Sequence, residues 1–154
     1  MTDDELFMQA ALTEAKKAYR VGEVPVGAVV VFENQIIARG HNQVELLKDA
    51  TAHAEMLVIG SAANALENWR LLGTTLYCTI EPCTMCAGAM LLSRIKRLVF
   101  GARDLRHGAC GSWIDLFETK HPTHFIEITS GILEGECANL MTEFFHERRN
   151  SKTS

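Results

Sequence analysis

Residues 74–80 and 97–102 read as two strands, and the stretch between them, 83–92, reads as a helix. A strand, a helix and a second strand in that order imply parallel pairing, with the helix covering one face of a sheet. This unit constrains the chain more than any other part of it. It calls for a layered α/β fold, and it sets the start of its helix beyond a strand end, where open α/β sheets tend to place ligands.

The remaining pattern supplies the other layers. Residues 3–20 carry Phe7, Ala10, Ala11, Ala15 and Ala18 at helical spacing, behind Thr2 and Glu5 placed as a capping box, and Gly22 ends that helix. Residues 26–32 and 35–40 form a hairpin around the Glu33-Asn34 turn. A helix beginning at His53 turns Met56, Leu57, Ile59 and Ala63 to a sheet, and a last strand near 125–129 precedes a helix over about 135–149. No repeat, low-complexity tract or linker interrupts this. Residues 1–149 are expected to form a single domain and 150–154 a polar, flexible tail.

A chain of 154 residues, 47% apolar and 22% charged, is long enough to fold on one core without disulfides. Its five cysteines are an odd number without a paired framework, which favours a reducing compartment and a cytoplasmic location. The acidic start, Met1-Thr2-Asp3-Asp4-Glu5, is unlike a basic signal peptide, and the longest apolar run, 24–32, is too short to span a bilayer. No membrane role is expected. The net charge of −4 argues against indiscriminate binding to polyanions, although Arg94, Lys96, Arg97, Arg103 and Arg106 cluster locally, as do Arg148, Arg149 and Lys152.

Chemistry concentrates in His53-Ala54-Glu55 and Pro82-Cys83-Thr84-Met85-Cys86. His53, Cys83 and Cys86 are one imidazole and two thiolates, a donor set that suits zinc and leaves a fourth place for water. Such a water is acidified to a pKa of about 7, and Glu55, not itself a ligand, is placed to carry its protons. Residues two apart on a helix point about 200° apart around the axis, so His53 and Glu55 converge only over a helix N-terminus. The spacing of Cys83 and Cys86 lets both thiolates bind at the start of a second helix. A four-ligand structural zinc is the competing reading, with Cys78, Cys110, His41 and His107 available. Trp69 and Trp113 are expected in the core or at a subunit interface.

These motifs, together with Val24-Pro25-Val26-Gly27-Ala28, Gly40-His41-Asn42, Val99-Phe100-Gly101-Ala102-Arg103-Asp104, Gly131-Ile132-Leu133 and Phe144-Phe145-His146-Glu147-Arg148-Arg149, resemble the cytidine deaminase-like zinc deaminases. Within that family the resemblance is to the branch that acts on tRNA adenosine. The zinc motifs belong to the superfamily; the Gly-Ala-Arg-Asp segment and the Phe-Phe…Arg-Arg tail carry the likeness to the tRNA branch.

The resemblance implies a three-layer α/β/α cytidine deaminase-like fold with a central mixed five-stranded sheet and helices on both faces. It implies one Zn2+ per subunit, held by His53, Cys83 and Cys86, and hydrolytic deamination of the wobble adenosine in a tRNA anticodon stem-loop to inosine, with ammonia released. Attack falls on carbon 6 of adenine, with Glu55 moving protons to the ring nitrogen and the departing amine. Asn42 would hydrogen-bond the base, while Pro25, Val26 and Ala54 shape the pocket. Asp104, Phe145 and Arg149 would meet RNA, and a homodimer is expected. Two other functions fit the same motifs: a deaminase of a free base or nucleoside, of guanine or cytidine type, and a non-catalytic zinc-stabilised module in which Glu55 is only a surface helix residue.

Overall fold

In the computed structural model the backbone is described for residues 1–153 and side chains through Ser151; Ser154 lies outside the described residues. The helices are α1 (Asp3–Arg20), α2 (Val44–Leu47), α3 (Ala54–Leu66), α4 (Thr84–Leu92) and α5 (Glu134–Thr153). The strands are β1 (Gly27–Phe32), β2 (Gln35–His41), β3 (Thr75–Ile80), β4 (Arg97–Ala102) and β5 (Glu127–Ser130). They form one mixed sheet in the order β2-β1-β3-β4-β5. β1 runs antiparallel to β2 and to β3, whereas β3, β4 and β5 run parallel.

Alternation along the strands divides the core between two faces. Ala28, Val30, Leu76, Cys78, Leu98 and Phe100 meet Val58, Ala62 and Met90 of α3 and α4. Val29, Val31, Tyr77 and Val99 turn the other way, onto Phe7, Met8, Ala11 and Leu12 of α1 and Cys137 of α5. Strands buried on both sides, such as β1 with its Ala28-Val29-Val30-Val31 run, read as continuous apolar segments for this reason. The sheet with helices on both faces is the three-layer arrangement expected.

α1 starts with the capping box: the Thr2 side chain accepts from the Glu5 N–H at 3.1 Å, and the Glu5 carboxylate accepts from the Thr2 N–H at 3.0 Å. Close packing of α1 on β1 depends on Gly27, where a Cβ would overlap the backbone at Ala11 and Ala15. A network then ties α1 across three strands. Asp4 accepts from the Tyr77 hydroxyl at 2.7 Å and from both Arg97 nitrogens at 2.8 and 2.7 Å, and Arg97 also donates to the Thr129 hydroxyl at 2.9 Å.

Of the core or subunit-interface places expected for Trp69 and Trp113, exposures of 54% and 60% exclude the core; Trp69 stacks beneath the Arg70 guanidinium, 4.2 Å from the ring centre. Backbone of the last helix continues through residues 150–153, where the sequence predicts a polar tail.

Candidate metal centre and substrate cleft

His53 is the N-cap of α3 and Cys83 the N-cap of α4, both in extended backbone conformation, and Cys86 sits one turn into α4. The β3 strand between them delivers the second helix start beside the first. The imidazole Nδ1 is therefore 3.6 Å from each sulfur, and the three donor atoms lie within 4.8 Å of one another. A tetrahedral zinc with bond lengths of about 2.05 Å to nitrogen and about 2.3 Å to sulfur separates N from S by about 3.6 Å. The donor set fits that ion in chemistry and in spacing.

Among the described residues no fourth His, Cys, Asp or Glu joins this group. The candidates for a closed structural site are engaged elsewhere. His41 faces Glu14 at 3.6 Å and His107 faces Asp104 at 3.7 Å. Cys78 and Cys110 are buried free thiols, and burial pushes both up and away from the thiolate form. Three protein donors with one open place is the pattern of a catalytic zinc.

The donors compete for protons. The hydrogen bond from Cys86, reinforced by His53, draws the Cys83 thiol down to about 3, while sharing its proton with Cys83, together with burial, pushes Cys86 up. His53 is raised, first by its hydrogen bond with Cys83. Both sulfurs lie at the N-terminus of α4, where free N–H groups and the helix dipole favour thiolate. A divalent cation held by the three donors would take the place of those shared protons.

Glu55, the second residue of α3, is 4% exposed and points to the same space. Burial pushes its carboxyl up to about 7, against the lowering effects of its backbone hydrogen bond and of His53. A group poised near neutrality can both accept and return a proton at working pH. Its burial also removes the reading of Glu55 as an ordinary surface residue.

A cleft of about 1140 Å³ opens over these groups. Val26, Asn42 and Ala54, expected around the base, and Asp104, Phe145 and Arg149, expected to meet RNA, all line this one cleft. Asn42 is buried at 7% exposure, its N–H donating to the Val26 carbonyl at 3.0 Å. Pro25 is the exception: it is buried and outside the lining, between Val24 and Val26, which do line it. Asp104 has a local task too, since its Oδ1 accepts from the N–H groups of Arg106 and His107 at 3.1 Å each. Phe145 is 44% exposed, packed edge-on against Phe144 with ring centres 5.4 Å apart.

Sequence reasoning passed over two buried carboxylates beside the cleft. Glu23, 2% exposed, accepts from the N–H groups of Glu45 at 3.0 Å and Leu46 at 2.8 Å, holding the α2 turn that follows Asn42. Glu81, 3% exposed, precedes Pro82 and faces the loop after β4. Neither carries a sequence signal that sets it apart from a surface acid.

A zinc-dependent hydrolase is the class that this arrangement defines: helix starts supply the ion's donors and a near-neutral carboxylate stands beside the open place. Residues 1–102 match the family described as the cytidine and deoxycytidylate deaminase zinc-binding region, and the chain belongs to that family. The tRNA-specific adenosine deaminase of Bacillus subtilis (strain 168) is 51% identical over 152 residues, covering 99% of this chain and 94% of that protein. A solved structure from work on A-to-I editing by tRNA:A34 deaminases superposes with a TM-score of 0.84 at 45% identity, covering 88% of this chain and 98% of that one. A guanine deaminase from Nitrosomonas europaea superposes with a TM-score of 0.75 at 26% identity, covering 91% of this chain and 83% of that one.

Proposed function

We propose that this protein is a tRNA adenosine deaminase that converts the wobble adenosine of an anticodon loop to inosine by zinc-dependent hydrolysis, releasing ammonia. The observation that carries this reading is 51% identity to a tRNA-specific adenosine deaminase across 99% of the chain. The site's shape agrees with it. The cleft is open and bordered by Arg103, Arg106 and Arg149, so a base can enter while neighbouring phosphates meet cations at the rim.

When bound to His53, Cys83 and Cys86, zinc acidifies a water to nucleophilic strength. Glu55 takes a proton from the attacking water and gives it to the ring nitrogen next to carbon 6. It then passes the second proton to the amino group, and the C–N bond breaks with loss of ammonia, leaving oxygen on carbon 6. Asn42, buried and fixed through its backbone to Val26, orients the base, with Val26 and Ala54 as apolar walls. Phe145 offers an aromatic face to a flanking base, and Arg149 and Asp104 stand at the rim for the RNA backbone.

The assembly in this reading is a homodimer with one zinc per subunit, working in the cytoplasm. Outward positions of α3 and α4 support the dimer, since Met56, Ile59 and Met85 are only partly covered and Leu92 is 68% exposed. Among the described residues no helix is long and apolar enough to cross a membrane.

The test is product analysis. Zinc-loaded protein is incubated with an anticodon stem-loop RNA and, separately, with adenosine, cytidine and guanine. Inosine in the RNA is the expected result; turnover of the small molecules alone would overturn the substrate assignment.

A further inference from the structure

We propose that Glu81 is a positioning residue for substrate recognition: its carboxylate holds the loop after β4 in the shape that presents the cleft rim. The inference rests on the RNA reading above and concerns a residue in the cleft wall whose side chain is fully buried and turned to the loop.

Carboxylates are almost never fully buried without partners. The Glu81 side chain is fully withdrawn from solvent, and all its recorded partners come from one segment. Oε1 accepts from the Asp104 N–H at 3.2 Å and from the Ser112 hydroxyl. Oε2 accepts from the N–H groups of Cys110 at 2.9 Å and Ser112 at 3.2 Å. Arg103 adds a guanidinium nitrogen 3.8 Å from Oε1. The loop is pressed against the carboxylate at Gly108, where any Cβ would overlap it, and the Ala109 N–H donates to the Pro82 carbonyl at 2.9 Å.

Thus the residue immediately before Pro82-Cys83 clamps both ends of a loop whose middle faces the cleft. Arg103, Asp104, Leu105, Arg106 and Trp113 line the cleft from this segment, with Leu105 80% and Trp113 60% exposed. Large groups displayed to water on a long loop are costly to order when a ligand arrives. Anchoring the loop from beneath removes that cost before binding. The effect should therefore fall on substrate affinity more than on the chemical step.

Glu81→Gln is the informative substitution because it preserves volume but not acceptor capacity. Turned one way its NH2 confronts the N–H groups of Cys110 and Ser112; turned the other it confronts the Asp104 N–H, with only the Ser112 hydroxyl able to rotate and accept. In the zinc-loaded protein, amide exchange of Asp104, Cys110 and Ser112 is followed by NMR, zinc content by elemental analysis, and KM and kcat with the anticodon stem-loop. The expected result is unchanged zinc, exchange of those three amides faster by about tenfold or more, and KM raised about tenfold with little change in kcat, the size of one charge-assisted hydrogen bond lost. Glu81→Asp, which retains the acceptors on a shorter stem, should recover part of the loss. Ser112→Ala removes one hydroxyl and keeps every backbone partner, so it decides the matter through a smaller rise in KM if the Gln variant does not fold. Unchanged exchange, a defect confined to kcat, or loss of zinc with the loop intact would each overturn the proposal. If the wild type makes no inosine in RNA, the substrate reading fails, and the exchange rates still decide whether Glu81 holds the loop.

Discussion

His53 and Cys83 occupy equivalent places, each the cap of its own helix, and their Nδ1 and Sγ atoms face one another across 3.6 Å. Neither side chain depends on a surface loop for its position. The pair is set by how α3 and α4 lie against the same face of the sheet, and the fold thereby prepares the donors before any ion binds.

Metal removal should therefore lower stability as well as abolish activity, because an ion that binds only the folded chain stabilises it in proportion to ln(1 + [Zn]/Kd). Chelation is expected to lower the Tm, and added Zn2+ to restore both Tm and turnover. Cys83→Ser should lose zinc by elemental analysis. An unchanged Tm on chelation would contradict the assignment.

Glu55→Gln separates proton transfer from metal binding. Loss of a general acid and base costs about 10²–10⁴-fold in rate. The variant is expected to retain its zinc while kcat falls within that range. Full activity would remove Glu55 from the mechanism.

Asp4 and Arg97 provide a pH signature remote from the cleft. The Arg97 hydrogen bonds, aided by Tyr77, hold the Asp4 carboxyl below its ordinary 3.8. A group whose pKa is depressed in the folded state stabilises above its unfolded value, and that contribution is lost as pH falls through the folded one. Asp4→Asn should thus cost about 1 kcal/mol at pH 7, after allowance for solvent screening of a partly exposed pair, and progressively less below pH 3.8. Urea melts at pH 7 and pH 3 measure the difference.

Gly27→Ala places a methyl group against the backbone of α1, which cannot yield as a flexible side chain would. A destabilisation of about 3 kcal/mol is expected. Thermal melts that match the wild type would show that α1 rides less closely on β1 than described.

Phe145→Ala should raise KM for the stem-loop about tenfold, the size of one base stacking contact. The melting temperature should change little, because the ring is 44% exposed. A large loss of stability would instead make it a packing residue.

Much of this was legible in the sequence, for identifiable reasons. The capping box at Thr2 and Glu5 names its own helix start, and the requirement that His53 and Glu55 converge forces His53 to a cap. The parallel pairing of β3 with β4 follows from the helix between them. Other features have no local signature. α2 is a single turn, held by Glu23 from a distant part of the chain. Glu81 looks like any surface acid until the loop's N–H groups are seen around it. Trp69 looks like core until the structure stacks it under Arg70 in solvent. The two carboxylates depend on contacts made far along the chain, and Trp69 on a side-chain stacking with its own neighbour; periodicity and spacing encode neither.

All three zinc donors precede the end of α4, whereas Phe145 and Arg149 belong to α5, the last element. In a growing polypeptide the proposed donors are thus all made before the proposed RNA contacts, and a chain released early would carry the first without the second.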